Sequence, residues 1–147
     1  MSPTASWVAA AIGALSLGER VRPVDEPGRS DVLRRVAGAF LERPDVLFWW
    51  SHLKVPAEKW QTRDGYRHLP QLAPDSRSDC WLITGLEDAE KPVFECTPAS
   101  ASAVLAECPA FEYALVDRAL KWMVIENHHE VLIAAGDAAG RLSQLRA

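Results

Sequence analysis

Apolar positions along the chain change their period several times, and each change predicts a change of element. Val8, Ile12 and Leu15 recur at helical spacing, a narrow stripe that Thr4 can cap and that ends near Gly18. Residues 22–29 contain Pro23, Pro27 and Gly28 and read as a linker within the domain. Ser30 then stands as an N-cap with Asp31 in the first turn. Val32, Leu33, Val36, Ala37, Phe40 and Leu41 form one wide apolar face opposite Arg34, Arg35 and Glu42, and Pro44 ends this helix. In the run VLFWWSHL, residues 46–53, apolar side chains occupy both parities. That pattern predicts a central strand covered on both faces, with Trp49 and Trp50 pointing to opposite sides. Residues 54–78 hold Pro56, Pro70, Pro74 and an Asp64-Gly65 turn signal, so only 66–72 is expected to make a short helical turn.

The second half reads as strands. Residues 80–84 and 92–96 form a hairpin across the turn at 87–91. Thr97 caps a helix with Pro98 at its first position, where a missing N–H costs nothing, and Pro109 follows its end. Residues 111–117, 121–127 and 130–135 form a meander, and Asp137 caps a short terminal helix carrying Leu142 and Leu145. Strands grouped together, with helices before, between and after them, predict an α+β fold. The expected form is a single mostly antiparallel sheet of about five to six strands with helices packed on one face.

Composition narrows the class. With 147 residues, 48% hydrophobic and 24% charged, residues 1–147 are expected to form a single domain around one core. Cys80, Cys96 and Cys108 are odd in number and lack CxxC spacing, which argues against a disulfide framework or a zinc knuckle and for free thiols in a reducing compartment. Residues 7–17 are mostly apolar, but no basic residue precedes them, so a buried helix fits better than a signal peptide. No run reaches the length of a membrane span, and a cytoplasmic protein is expected.

Charge changes the picture further. Residues 1–74 carry ten Lys/Arg against eight Asp/Glu, whereas residues 75–137 carry four against twelve. Such an acidic region repels phosphates and argues against a nucleic-acid ligand. It attracts a basic protein instead.

The densest polar cluster is Glu126-Asn127-His128-His129-Glu130. Adjacent histidines between two strands tend to point to opposite sides and are poor co-ligands, with further ligands required from His52, His68 or Glu95. Asn127 suits a tight turn, and either imidazole suits hydrogen bonding there or general acid/base work. The chain has no GxSxG, P-loop or GxGxxG motif. No cofactor and no metal are expected. Most of the six tryptophans are expected in the core, with Trp60 and one of Trp49 or Trp50 at a surface.

Residues 113–136, YALVDRALKWMVIENHHEVLIAAG, resemble a signature of an uncharacterised bacterial family of small proteins: Tyr-x-x-x-Asp-Lys/Arg, a Trp, then Glu-Asn-His-His and an aliphatic strand. The segments FWWSHLK and GYRHLPQL are compatible with it, over residues 33–136. Trp122, Glu126, Asn127, His128 and His129 occupy the motif positions. The resemblance implies a single-domain cytosolic α+β protein, laid out like the SMI1/KNR4-like immunity proteins of bacterial toxin systems.

Together these readings lead to an expected immunity, or antitoxin, protein that blocks a cognate basic toxin, a nuclease being one such target. Glu87, Asp88, Glu90, Glu112, Glu126 and Glu130 would supply the acidic surface and Trp60 an apolar anchor. The alternative is a small hydrolase or metal-binding protein built on Glu126, His128 and His129. A module binding a peptide on a sheet edge is a third.

Overall fold

The computed structural model describes residues 2–147. Helix α1 (Pro3–Ala14) begins at Ser2, whose hydroxyl accepts from the Ala5 N–H at 3.2 Å. Thr4, the expected cap, is buried inside the first turn, and its hydroxyl donates to Asp88. Helix α2 (Gly28–Phe40) starts ahead of Ser30, whose N–H and hydroxyl both donate to the Glu26 carboxylate at 2.8 and 2.7 Å. Those bonds hold the Glu26 carboxyl below its ordinary range. The remaining helices are α3 (Leu69–Leu72), α4 (Pro98–Ala106) and α5 (Ala138–Arg146). In α4 the sequence pattern is realised in full: Thr97 and Ser100 form a reciprocal capping box and Pro98 occupies the first turn.

The strands are β1 (Arg22–Pro23), β2 (Ala57–Gln61), β3 (Cys80–Thr84), β4 (Val93–Cys96), β5 (Tyr113–Asp117), β6 (Trp122–Glu126) and β7 (Val131–Gly136). They join in one seven-stranded sheet of order β1-β4-β3-β5-β6-β7-β2, every neighbouring pair antiparallel. The fold is therefore α+β, with more strands than the expected five to six. Strands β3 to β7 lie where the alternation of the second half places them. The short β1 falls inside the expected linker, and β2 inside the stretch with the weakest pattern. Both are edge strands, which need only one buried face and carry a weak apolar signal.

The expectation of helices on one face is corrected by the burial of the central strands. On one face Leu82, Tyr113, Leu115, Trp122, Val124 and Leu132 pack against α1, α3, α4 and α5. On the other, Trp81, Ile83, Val116, Met123, Ile125 and Ile133 pack against Val32, Val36 and Phe40 of α2 and against Leu41, Val46 and Trp49. A strand buried at every position, as β3 is, must be covered on both sides. Here the apolar run at 46–53 supplies part of that cover and is not a central strand. It passes through a single 3₁₀ turn at Trp49–Ser51, and its β-pairing is one isolated bridge between Leu41 and Leu53. Val46 and Trp49, one turn apart, are buried, whereas Leu47 is 67% and Phe48 39% exposed. Trp49 and Trp50 thus do not alternate across a sheet.

All three cysteines are free thiols. Burial pushes the Cys80 thiol up to about 12 and raises Cys96 as well, so both are inert core side chains. Among the described residues, no helix is long and apolar enough to cross a membrane.

One backbone position fixes the register at the start of α5. Gly136 has φ +66°, and a Cβ there would lie 2.5 Å from the Lys121 carbonyl oxygen. Both the left-handed conformation and the clash with backbone oppose any side chain. Gly136→Ala is expected to cost about 2 kcal/mol or more of stability, read as a lower urea midpoint with an unchanged slope.

Candidate functional site

At one end of the sheet, β5 begins and β6 stops at directly paired residues, Tyr113 and Glu126. Direct pairing puts both side chains on the same face. The Tyr113 hydroxyl donates to Glu126 Oε1 at 2.9 Å, and the Gly65 N–H donates to Oε2 at 3.0 Å. Gly65 has no spare room, since a Cβ there would come within 3.2 Å of the Glu126 carboxylate. Above this pair opens a cleft of about 350 Å³. Asp64, Glu87 and Glu130 join Glu126 around it, Tyr66, Leu105 and Phe111 give it apolar walls, and His128 closes one side. Its lining contains no lysine or arginine.

Burial is the main cause of a raised Glu126 pKa, with the Asp64 charge adding to it and the hydrogen bonds from Tyr113, Gly65 and Tyr66 opposing it. Burial, then the Glu126 charge, holds Tyr113 protonated far above the ordinary tyrosine range. A raised carboxyl pKa means that the folded state takes up a proton at higher pH than the unfolded chain. Glu126 is therefore destabilising at neutral pH, and this is relieved as pH falls through its raised pKa toward the ordinary 4.5. Glu126→Gln is expected to remove that component from the stability–pH curve, measured by urea unfolding at successive pH values between neutral and the ordinary glutamate range.

A second carboxylate lies beside the cleft and is buried. Glu112 is 1% exposed, and its Oε2 accepts from the Trp50 indole N–H at 3.2 Å and the His128 backbone N–H at 2.9 Å. His128 Nδ1 lies 2.5 Å from the same oxygen. A hydrogen bond between the carboxylate and Nδ1 fixes the orientation of the imidazole. The Glu112 N–H in turn donates to the Glu87 carboxylate at 2.9 Å. The turn carrying His128 is set by Asn127, whose Oδ1 accepts from the N–H groups of His129 and Val131, with Glu130 at φ +58°. In such a turn strand alternation does not apply. The His128 and His129 rings lie on the same side, their centroids 4.0 Å apart, contrary to the expectation that they diverge.

Phe48 and Trp50 complete this group. Phe48 packs on Trp50 at 5.5 Å and on His128 at 6.2 Å, and Trp50 meets His129 edge-on at 5.8 Å. Trp7 stacks on the cleft residue Phe111 at 6.4 Å. Trp7, Leu47 and Phe48 are the exposed large hydrophobics of the described residues. Leu47 lines the neighbouring groove, which shares Glu87 with the cleft, while Phe48 packs on the cleft residue His128 and Trp7 on the cleft residue Phe111.

With this geometry in place, comparison with known proteins is informative on one point. A family model described as a family of unknown function (DUF6756) matches residues 8–146. The chain belongs to the DUF6756 family. No curated protein matches it, and no solved structure does. The DUF6756 match gives no support to a likeness to the SMI1/KNR4 group.

In this DUF6756 protein the residues expected to form one acidic surface are only partly brought together. Glu87, Glu126 and Glu130 line the cleft. Glu112 is buried next to it and cannot present its charge to a partner. Asp88 lies in the neighbouring groove with Lys91, and Glu90 lines a third groove beside Arg29. Glu95 is paired with Arg22 and Arg118. Trp60, the expected anchor, sits on edge strand β2, packed against the helix-covered core and 4.9 Å from His68. Asp64, Tyr113, Leu47 and Phe48 were not expected in the site. A turn signal, a strand start and an apolar run gave them other readings. No group of three or more His, Cys, Asp or Glu side chains among the described residues is arranged to hold a metal ion. Glu126, His128 and His129 therefore do not fit the metal-binding version of the alternative.

Proposed function

We propose that this protein is a binding protein of the immunity type, which takes a basic segment of a cognate toxin domain against its acidic cleft and so blocks the toxin. One observation carries this reading: Asp64, Glu87, Glu126 and Glu130 converge on a cleft whose lining holds no lysine or arginine. Carboxylates gathered around a lining that holds no lysine or arginine raise the association rate of a cationic partner and repel phosphate. Tyr66 and Phe111 give the stem of an arginine or lysine an apolar surface to lie along. The raised Glu126 pKa adds a testable linkage, because a cation beside it favours the ionised form. Binding then releases a proton and tightens as pH rises through the Glu126 range.

The test is co-expression with a toxin encoded beside the protein's own gene, followed by co-purification at low and high salt. An equimolar complex that salt dissociates, and growth rescued by co-expression, supports the reading. Growth inhibition unaffected by co-expression, with no complex at low salt, rules it out.

A second reading is favoured by the Glu112–His128 contact. A buried carboxylate orienting an imidazole through Nδ1 is the positioning half of a general base, and Glu126 with its raised pKa is a matching acid in the same cleft. Turnover of ester or amide substrates that vanishes in His128→Ala and persists in Asp64→Asn would move the function to this pair.

A further inference from the structure

The group formed by Leu47, Phe48, Trp50, His128 and His129 is not explained by stability. Leu47 and Phe48 belong to an apolar run in which Val46 and Trp49 are buried, yet both are exposed. Single exposed apolar residues are common, but these are contiguous, and Phe48 packs on Trp50 and His128, which meet each other edge-on. That array is held by the Glu112 carboxylate, 1% exposed, which takes the Trp50 indole, the His128 N–H and His128 Nδ1 on a single oxygen. Burying a carboxylate costs several kcal/mol unless it is well paired. What the carboxylate supplies is a rigid arrangement of aromatic side chains at the surface. Preorganised aromatics beside a charged pocket are the usual make-up of an interface hot spot.

We propose that this shelf is the apolar half of the partner interface, and that the bound segment carries an aromatic side chain next to the cation that enters the cleft. The inference rests on the proposed binding function and adds the composition of the segment recognised. Charge complementarity selects the occupant. His128 belongs both to the shelf and to the cleft lining, and the groove that Leu47 lines shares Glu87 with the cleft, so shelf and acidic cleft adjoin. A second copy of this chain is disfavoured, because it brings a net charge of -4 and its own acidic cleft to the same surface.

The test uses the full ¹⁵N-labelled chain and short blocked peptides of a Gly scaffold, containing Arg alone, Trp alone, or both in either order with zero or one Gly between them. The expected result is that the Arg peptide shifts the Gly65 amide, and that at least one Arg/Trp peptide shifts both Gly65 and the Trp50 indole and binds about 5-fold tighter or more. The exposed-site double variant Leu47→Ser/Phe48→Ser is expected to remove that gain and leave the Arg peptide unchanged. If the Arg peptide moves Gly65 but no Arg/Trp peptide gains affinity or shifts the Trp50 indole, the shelf proposal is overturned and the cleft reading stands. If no Arg-containing peptide moves Gly65, the cleft reading itself fails and the paired site with it. Shelf resonances that move with protein concentration alone would overturn the proposal by assigning the surface to a second copy.

Discussion

Glu112→Ala is expected to lower the unfolding free energy by about 3 kcal/mol and the melting temperature by roughly 6–12 °C. The carboxylate is buried and accepts three contacts on Oε2, from Trp50 and twice from His128. Truncation leaves a half-buried indole N–H and a backbone N–H facing a small cavity, and an unsatisfied buried donor costs about 1–3 kcal/mol. Glu112→Gln keeps an accepting oxygen and the side-chain volume, so about 1 kcal/mol is the expected loss. The order of the two variants matters more than either value. A similar loss in both would mean that negative charge holds the array, whereas a loss confined to alanine would mean that volume and acceptor capacity do. Chemical denaturation followed by tryptophan fluorescence measures both, and a double-mutant cycle with His128→Ala apportions the His128 contacts. A cost below about 0.5 kcal/mol for Glu112→Ala, the range of ordinary surface substitutions, would show that Glu112 does not hold this end of the sheet together.

The central part of the fold was legible because its signals were redundant. Strand β3 is apolar from Cys80 to Ile83, α4 carries an N-cap threonine and a first-turn proline, and the three strands of the meander are separated by tight turns. Local preference and tertiary burial agree there. The misreading of residues 46–53 has a specific cause. A short apolar run cannot be told from a strand by periodicity alone, and here Val46 and Trp49 follow a turn spacing while Leu47 and Phe48 point to solvent. Exposed apolar residues look, in one dimension, like buried ones. Strand β2 has the opposite problem. As AEKWQ at a sheet edge it carries little apolar pattern, and it is defined by its pairing with β7 from Ala57–Ala135 to Gln61–Val131.

The candidate site was legible as composition and not as geometry. The acidic excess of residues 75–137 is real, but its members point to different surfaces, and Asp64, from outside that segment, completes the cleft. Glu112 illustrates the limit. Nothing local distinguishes a carboxylate that faces solvent from one that accepts a tryptophan more than sixty residues away. The Glu-Asn-His-His segment was rightly seen as a turn around Asn127, yet the direction of its imidazoles depended on the conformation of that turn.

Reversing two rim charges, Asp64→Lys with Glu130→Lys, is expected to weaken the basic partner about 100-fold or more at low salt. Both residues are exposed, and both line the cleft from different loops, so the substitutions change its potential without removing a buried group. Close charge pairs at an interface are worth about 1.5 kcal/mol or more each, and two reversals replace attraction by repulsion. A 100-fold change corresponds to about 2.7 kcal/mol. Because rim charges act on the encounter, much of the loss should fall in the association rate and shrink as salt approaches 1 M, where the screening length is about 3 Å. Glu95→Lys supplies the control: it belongs to the same acidic segment, but lies away from the cleft and is paired with Arg22 and Arg118. Stopped-flow association rates at several salt concentrations separate the outcomes. Strong loss in the double variant with little change in Glu95→Lys assigns recognition to the cleft. Equal effects in both would assign it to net charge alone, and an unchanged rate in the double variant would remove the cleft from the interface.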